Sequence, residues 1–347
     1  MRFVFLHPPL DAYPSGGNVF NRRIIALARD GGFPLETVEL APNGRVPSLP
    51  RDAIVLWDSL LLENLSNCPS VGNGAAQGIL AHYVPFLNPL LHSDQRRVEE
   101  ERFDSAARRC RFFITTGLSV RRFLERRFPG LNVQLCEPGV DDAFPGTRRP
   151  WSEPDEARTV HVVTVANFLP AKGLSELLET LADLRHYDWV WHLAGDERMD
   201  AGYAEFFRSR VRELGLQTRV RLHGVLEPPE LARLLGEMDV FAFASRYEAY
   251  GMALAEAAAV GLPTVTTDVG EARRIVRHEE TGLIAPVADR NAFRSDSERL
   301  LSDSALRRRF RARLLLHRPR TWDDAFTDFR NALRAVCEEL APAARSP

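Results

Sequence analysis

The sequence predicts an α/β protein made of two doubly wound halves, and three observations carry that prediction. Short runs rich in Val, Ile, Leu and Phe recur along the chain without polar alternation, as strands buried on both faces do. Amphipathic helical patterns lie between several of these runs. A proline-rich, charged, aperiodic stretch at 142–158 interrupts the alternation, which then restarts.

Taken in order, "RFVFLH" (2–7) is the first strand candidate, and a helical pattern follows from about Val19 to Leu27. "AIVLWD" (53–58), "GILAHYV" (78–84), "FFITTG" (112–117) and "NVQLCEPG" (132–139) are the next strands, with helices around 94–109 and 118–128. After the break come "TVHVVTVAN" (159–167), "VWHLAG" (190–195), "RVRLHGV" (219–225), "VFAFAS" (240–245) and "PTVTTD" (263–268). Between the first two of these, Leu174, Leu177, Leu178, Leu181 and Leu184 recur at helical spacing and predict one buried helix face. From about 289 onward the pattern is helical only. Alternation of this kind is the signature of parallel sheets covered by helices on both faces.

Bulk properties narrow the function classes. At 347 residues the chain is long enough for two domains with proper cores. A formal net charge of −2 gives no electrostatic case for nucleic acid as the main partner. Cys68, Cys110, Cys136 and Cys337 are scattered without metal-ligand spacing and read as reduced thiols of a cytoplasmic protein. The start "MRFVFLHPPL" lacks the apolar length of a signal peptide, and no 18-residue apolar run occurs, so no membrane span is expected.

Ligands of parallel α/β sheets sit beyond the carboxyl ends of the strands, so the loops there are the candidate site. Lys172, in "NFLPAKG", is the single lysine among 45 Lys and Arg residues. It follows the strand at 159–167 and immediately precedes a helix. A compact ammonium suits a crowded anion site better than a guanidinium fork, although count alone does not separate that role from chance. The loop "SRYEAYGMALAEAAAVG" (245–261) joins a strand to an alanine-rich helix starting near Gly251. A helix start offers open N–H groups and partial positive charge to a phosphate, and glycine allows close approach. Glu256 is placed to accept hydrogen bonds from a diol such as ribose; glutamate early in a helix also simply suits the dipole.

These residues carry a resemblance. "VANFLPAKGLSELLETL", "WHLAGD", the segment from "RVRLHGVLEPPEL" to "TVTTDVGEA", and "ETGLIAP" resemble, in order, the C-terminal domain of family-4 retaining glycosyltransferases of the GT-B fold. Glu248 and Glu256 have that family's E-x7-E spacing. "PSGGNVFNRRIIALARDGG", "CEPGVDDAF" and "TWDDAFTDFRNAL" are similar to its first loop and helix, its pre-linker segment and its closing tryptophan helix. The resemblance implies two Rossmann-like domains facing across a cleft: an acceptor-side domain at 1–145, a linker at 146–158, a donor domain at 159–320, and a tail helix at 321–347 crossing back to the first domain.

By the resemblance, Lys172 contacts the donor diphosphate, Glu256 holds the ribose, Glu248 lies near the transferred sugar, and Tyr250, Gly251 and Met252 line sugar and phosphate. Gly16 and Gly17 match the loop that closes over the phosphates. His82 is the candidate for the family's histidine near the sugar, with His7 and Asp58 on the same rim. A histidine ending an apolar strand is equally a structural residue. Two departures stand out. Asn167 occupies the place of an arginine that the family uses as a second phosphate cation, with Arg246, Arg22 or Arg23 as substitutes. In "DVGEARRIV", Glu271 replaces a glycine and Arg274 a glutamate, which makes Arg274 another candidate cation or donor contact.

The implied activity is metal-independent hexosyl or N-acetylhexosaminyl transfer with retained anomeric configuration. The donor is a nucleotide-sugar, a UDP-sugar favoured over a GDP-sugar, and no cofactor is expected. No D-x-D follows a strand and no metal-ligand cluster is visible. The brief N-terminal half points to a small soluble acceptor, with a polar loop at 63–78 as a candidate lining. The basic segments 119–130 and 307–320 read as solvated faces, with contact to an anionic membrane and a lipid or polysaccharide acceptor the alternative. A donor-binding pseudoenzyme or accessory subunit is the competing class, allowed by Asn167 and Arg274.

Overall fold

The computed structural model describes residues 2–11, 15–50, 52–68, 76–146 and 159–340, and the chain divides into two units. One comprises the described residues up to Gly139 together with those from Thr321 onward; the other runs from Val140 to Arg320. Residues 69–75 of the expected acceptor loop and 147–158 of the expected linker lie outside the described residues.

The first unit holds six strands, β1 (Arg2–His7), β2 (Leu35–Glu39), β3 (Ala53–Asp58), β4 (Ala76–Ala81), β5 (Phe112–Thr115) and β6 (Asn132–Leu135). They pair in the order β2-β1-β3-β4-β5-β6, every neighbour parallel. The chain leaves β1 for β2 on one side and returns to β3 on the other, so the topological switch point lies between the carboxyl ends of β1 and β3. All six residues of β3 are buried, as the unbroken apolar run requires of a strand covered on both faces. Its Trp57 donates its indole N–H to Gln77 at 3.0 Å, which satisfies the one polar atom of a fully buried ring.

Helix Gly16–Asp30 follows β1. Ser15 caps it by accepting the Asn18 N–H at 3.2 Å, and Phe20, Asn21, Ile24 and Ala28 form its buried stripe. The last helix, Trp322–Leu340, buries Trp322, Ala325, Phe329, Ala332, Leu333 and Val336 against Gly16–Asp30 and β6. Ring contacts Phe20–Trp322 and Phe33–Phe326, at 6.1 and 5.9 Å, hold the last helix to helix Gly16–Asp30 and to the turn that follows it. The expected return of the tail helix to the first domain is therefore present.

The crossing between units falls earlier than the sequence reading puts it. Val140 and Phe144, assigned above to the first domain, pack in the hydrophobic core of the second. The Val140 N–H also donates to the Arg320 carbonyl at 2.8 Å, so the chain entering the second unit pairs with the chain leaving it. Just before that point Gly139 passes under the returning backbone. A Cβ there would sit 2.3 Å from the Thr321 carbonyl, which only glycine avoids.

The second unit repeats the architecture with β7 (Val160–Val165), β8 (Trp189–Ala194), β9 (Val220–Gly224), β10 (Val240–Phe243), β11 (Thr264–Thr267) and β12 (Gly282–Ala285). The order is β12-β11-β10-β7-β8-β9, again all parallel, with the switch point between β7 and β10. The leucine stripe forms as expected: Leu174, Leu177, Leu178 and Leu181 are the buried face of helix Leu174–Asp183, and Leu184 is buried just beyond it.

Candidate functional site

The residues read as a donor site come together at the second switch point. After β7 the chain makes one 3-10 turn, Pro170–Lys172, and enters Gly173 with φ at 66°. A Cβ on Gly173 would lie 1.9 Å from the Ala244 carbonyl, so glycine lets the Lys172 loop rest directly on the end of β10. The Arg246 N–H donates to the Ala171 carbonyl at 2.8 Å, and Ser245 Oγ lies 3.0 Å from both that carbonyl and Glu248 Oε1. Lys172 Nζ then donates to Glu248 Oε1 at 2.5 Å, with the two side chains 25% and 12% exposed. A partly desolvated pair of this kind interacts more strongly than a surface ion pair.

Beyond Glu248 the loop reaches Tyr250 and Gly251, whose φ of 104° only glycine tolerates comfortably. Gly251 is the N-cap of helix Met252–Ala259, and no side chain caps it, which leaves the helix start to a ligand. Glu256, a turn inside, is half-buried, and its carboxyl makes no hydrogen bond or ion pair among the described residues. Desolvation by the surrounding protein pushes its carboxyl up to about 8. The loop after β11 packs on top. Gly270 has φ at 55°, a Cβ there would meet the Tyr250 carbonyl and Glu248 Cβ at 3.0 Å, and the Glu271 N–H donates to the Tyr250 carbonyl at 3.0 Å.

The structure gives the remaining cation candidates partners. Arg246 pairs with Glu176 at 2.6 Å, on the first turn of the helix that Lys172 precedes. Arg274 reaches the buried Glu271 at 3.4 Å and is 44% exposed. Asn167 Oδ1 accepts the Asp196 N–H at 3.0 Å, bracing the loop after β8. That carbonyl is committed to the fold. The roles of Glu176, Ser245 and Glu271 escaped the sequence reading, because each is set by contacts between segments far apart in the chain.

In the first unit, Gly16 and Gly17 open the helix after β1, and His82 follows β4. A Cβ on Gly17 would stand 3.2 Å from the His82 ring, so the glycine loop and the histidine lie against each other. Phe20 meets the same imidazole edge-on at 5.1 Å. His82 Nε2 lies 2.8 Å from Asn21 Oδ1 and 3.6 Å from Asp58 Oδ2, and Asn21 Nδ2 donates to Asp58 Oδ2 at 2.6 Å. Burial lowers the His82 pKa more than Asp58 raises it. His7 is buried at the end of β1, its Nδ1–H donating to the Pro8 carbonyl at 2.8 Å. Asn21 was not singled out in the sequence.

Chemically, the second site offers one ammonium, an open helix start and a half-buried carboxyl around a switch point: an anion seat with a hydroxyl acceptor beside it. Among the described residues, no cluster of three or more His, Cys, Asp or Glu side chains is placed to hold a metal ion. No described helix is long and apolar enough to cross a membrane. Of the basic segment 119–130, Arg121 pairs with Glu125 at 2.8 Å and Arg127 with Asp104 at 2.6 Å, so these two charges are partly neutralised.

Two doubly wound units, with the closing helix returned to the first, define the class as the GT-B type of glycosyltransferase fold. Residues 148–314 match the family model "Glycosyl transferases group 1". A D-inositol 3-phosphate glycosyltransferase from Corynebacterium efficiens is 30% identical over 183 residues, 52% of this chain and 43% of the relative. The chain thus spans under half the length of the curated relatives it matches. In solved structures, sucrose-phosphate synthase from Thermosynechococcus elongatus superposes with a TM-score of 0.76 at 18% identity, covering 98% of this chain and all of that one. Anabaena HepE, solved with UDP and glucose, gives a TM-score of 0.72 at 16% identity over 96% of this chain and all of HepE.

Proposed function

We propose that this protein is a cytoplasmic retaining glycosyltransferase that moves a sugar from a nucleoside diphosphate sugar, a UDP-sugar, to a hydroxyl of a small soluble acceptor. The observation that carries the reading is the arrangement at the second switch point. Lys172 stands beside an uncapped helix start, with Glu256 one turn further in, its carboxyl without a partner among the described residues. The diphosphate would take Lys172 from Glu248 and lie at the helix start, while Glu256 accepts hydrogen bonds from the ribose. Tyr250, Gly251 and Met252 line the sugar and phosphate, and Arg246 and Arg274 are the nearby arginines. Gly16, Gly17 and His82 are the candidate substrate contacts within the first unit. The relative acting on D-inositol 3-phosphate supports a small acceptor, and the UDP held by HepE supports the base.

In the step itself, the bond from the anomeric carbon to the diphosphate oxygen breaks and a bond to the acceptor oxygen forms on the same face. The acceptor proton passes to a diphosphate oxygen, and nucleoside diphosphate leaves. Lys172 and the helix N–H groups stabilise the charge that develops on the leaving group, the role a divalent cation fills in metal-dependent transferases. No protein nucleophile is required.

Asn167 favours one second reading, a donor-binding protein without turnover, because it removes a cation from the phosphate seat. Calorimetry with UDP, GDP and ADP against wild type and Glu256→Ala, followed by NMR of the product anomer with an acceptor panel, decides between them. Binding of one base that Glu256→Ala abolishes, with an α-product from an α-donor, supports transfer. Binding without product supports the second reading, and no binding rejects the donor site.

A further inference from the structure

We infer that Asp58 and Asn21 form a hydrogen-bond relay that holds His82 in the neutral tautomer with its proton on Nε2, and so presents Nδ1 as an acceptor for a carbohydrate hydroxyl. The inference rests on the transfer reading for its ligand class but not for its geometry.

The direction of the relay follows from what each group is able to do. Asp58, 1% exposed at the end of β3, is acceptor-only as a carboxylate; its Oδ1 takes the Leu60 N–H at 2.7 Å and its Oδ2 takes Asn21 Nδ2 at 2.6 Å. A carboxylate cannot donate, so Asn21 must turn its NH2 towards Asp58 and its carbonyl oxygen towards His82. That oxygen lies 2.8 Å from Nε2 and is itself unable to donate. The proton between them therefore belongs to Nε2.

The remaining nitrogen is what distinguishes this histidine from a structural one. A histidine serving the fold alone satisfies both nitrogens, as buried polar groups do. Nδ1 of His82 has no protein partner among the described residues. The ring is held by Phe20 edge-on and faced by Gly17, which places no side chain over it. Among the described residues, Asp58 is the one charged group acting on the imidazole; the helix facing it contributes the uncharged Gly17, Phe20 and Asn21. Burial outweighs that charge and keeps the ring neutral, so Nδ1 carries a lone pair at the carboxyl edge of the sheet, next to the glycine loop. A lone pair recognises a hydroxyl hydrogen, and sugars and polyols supply those. Asn21 and Asp58 are positioning residues in this scheme: they act on the substrate through the imidazole.

The test is imidazole 15N NMR of the full chain, with the His82 signals assigned from His82→Gln. The relay predicts a proton on Nε2 and a neutral ring at pH 7. Asp58→Asn keeps the shape but lets position 58 donate. Asn21 then turns, its NH2 faces Nε2, and the proton moves to Nδ1. We expect that variant to lose tenfold or more in kcat/KM for UDP release from UDP-glucose or UDP-N-acetylglucosamine, with Tm little changed. A wild-type proton on Nδ1 overturns the relay, and this reading needs no variant to fold. A tautomer that moves while UDP release changes less than twofold overturns the hydroxyl contact. Wild type inactive on every nucleotide sugar would sink the transfer reading, while the wild-type spectrum still decides the relay.

Discussion

Glu256 carries a pH signature that follows from its surroundings. Its carboxyl is half-buried with no hydrogen-bond donor among the described residues, and desolvation lifts it from an ordinary 4.5 to about 8. Between those values the folded chain holds a proton that the unfolded chain has released, so stability falls as pH rises. At 1.36 kcal/mol per pH unit, ionising this one group removes about 4 kcal/mol by pH 8, an upper figure for a side chain that water partly reaches. The quantity to measure is the difference in unfolding free energy between wild type and Glu256→Gln, by urea titration from pH 5 to 8, because the difference cancels every other titrating group. Glu256→Gln should gain on wild type by roughly 2–4 kcal/mol across that range. Binding gives an independent reading. If ribose hydroxyls are held by the ionised carboxylate, UDP binding at pH 7 releases about 0.9 proton, visible as a calorimetric enthalpy that differs between phosphate and Tris buffers. Parallel stability profiles for the two proteins would refute the desolvated carboxyl. A buffer-independent enthalpy would refute its role at the ribose.

Three further outcomes are expected. Lys172→Met should weaken UDP binding by about 1.5–3 kcal/mol, ten- to hundred-fold, as loss of a hydrogen bond to a charged group does; calorimetry measures it, and Lys172→Arg should fail to restore it. Gly173→Ala must push a methyl group into the Ala244 carbonyl while holding a left-handed φ, so it should lose roughly 3 kcal/mol or more in thermal melts and displace Lys172 from Glu248. Phe329→Ala, at a fully buried position of the last helix, should destabilise the first unit by about 3–5 kcal/mol, read by hydrogen exchange in β1 and β6.

Ten of the twelve strands among the described residues were legible as apolar runs; the two that were not, β2 and β12, are each an edge of their sheet. β2, "LETVE", is mostly exposed and keeps only weak alternation, and β12, "GLIA", is four residues long. β2 lacks the double-faced burial that makes a parallel strand conspicuous, whereas β12 is buried throughout but short. Gly251, Lys172 and Glu256 could be placed at the rim of the second sheet from sequence because each belongs to a local loop or helix start. Their electrostatic partners were not: Arg246 finds Glu176, and Lys172 finds Glu248, across 70 residues or more of intervening chain. Asn167 shows the reverse hazard. A polar residue at a motif position looked available for a ligand, and the fold had claimed its carbonyl for Asp196. Asn21 was hidden for a related reason, since an asparagine inside a helix gains meaning only when β3 and the loop after β4 are brought to it.

The pairing of Val140 with Arg320, and the return of the chain at Thr321, have a consequence for synthesis. The ribosome delivers every strand of the first sheet before any of the second, yet the first unit lacks one side of its core until Phe329, Leu333 and Val336 emerge. The second unit is complete some twenty residues sooner, when Arg320 clears the exit tunnel. The order of birth and the order of maturation are thus inverted: the half made first must wait, with an apolar face bare, for the last helix. A chain truncated after Arg320 and released from the ribosome should hold a finished second unit and an unfinished first one, a species that chaperones bind and proteases open.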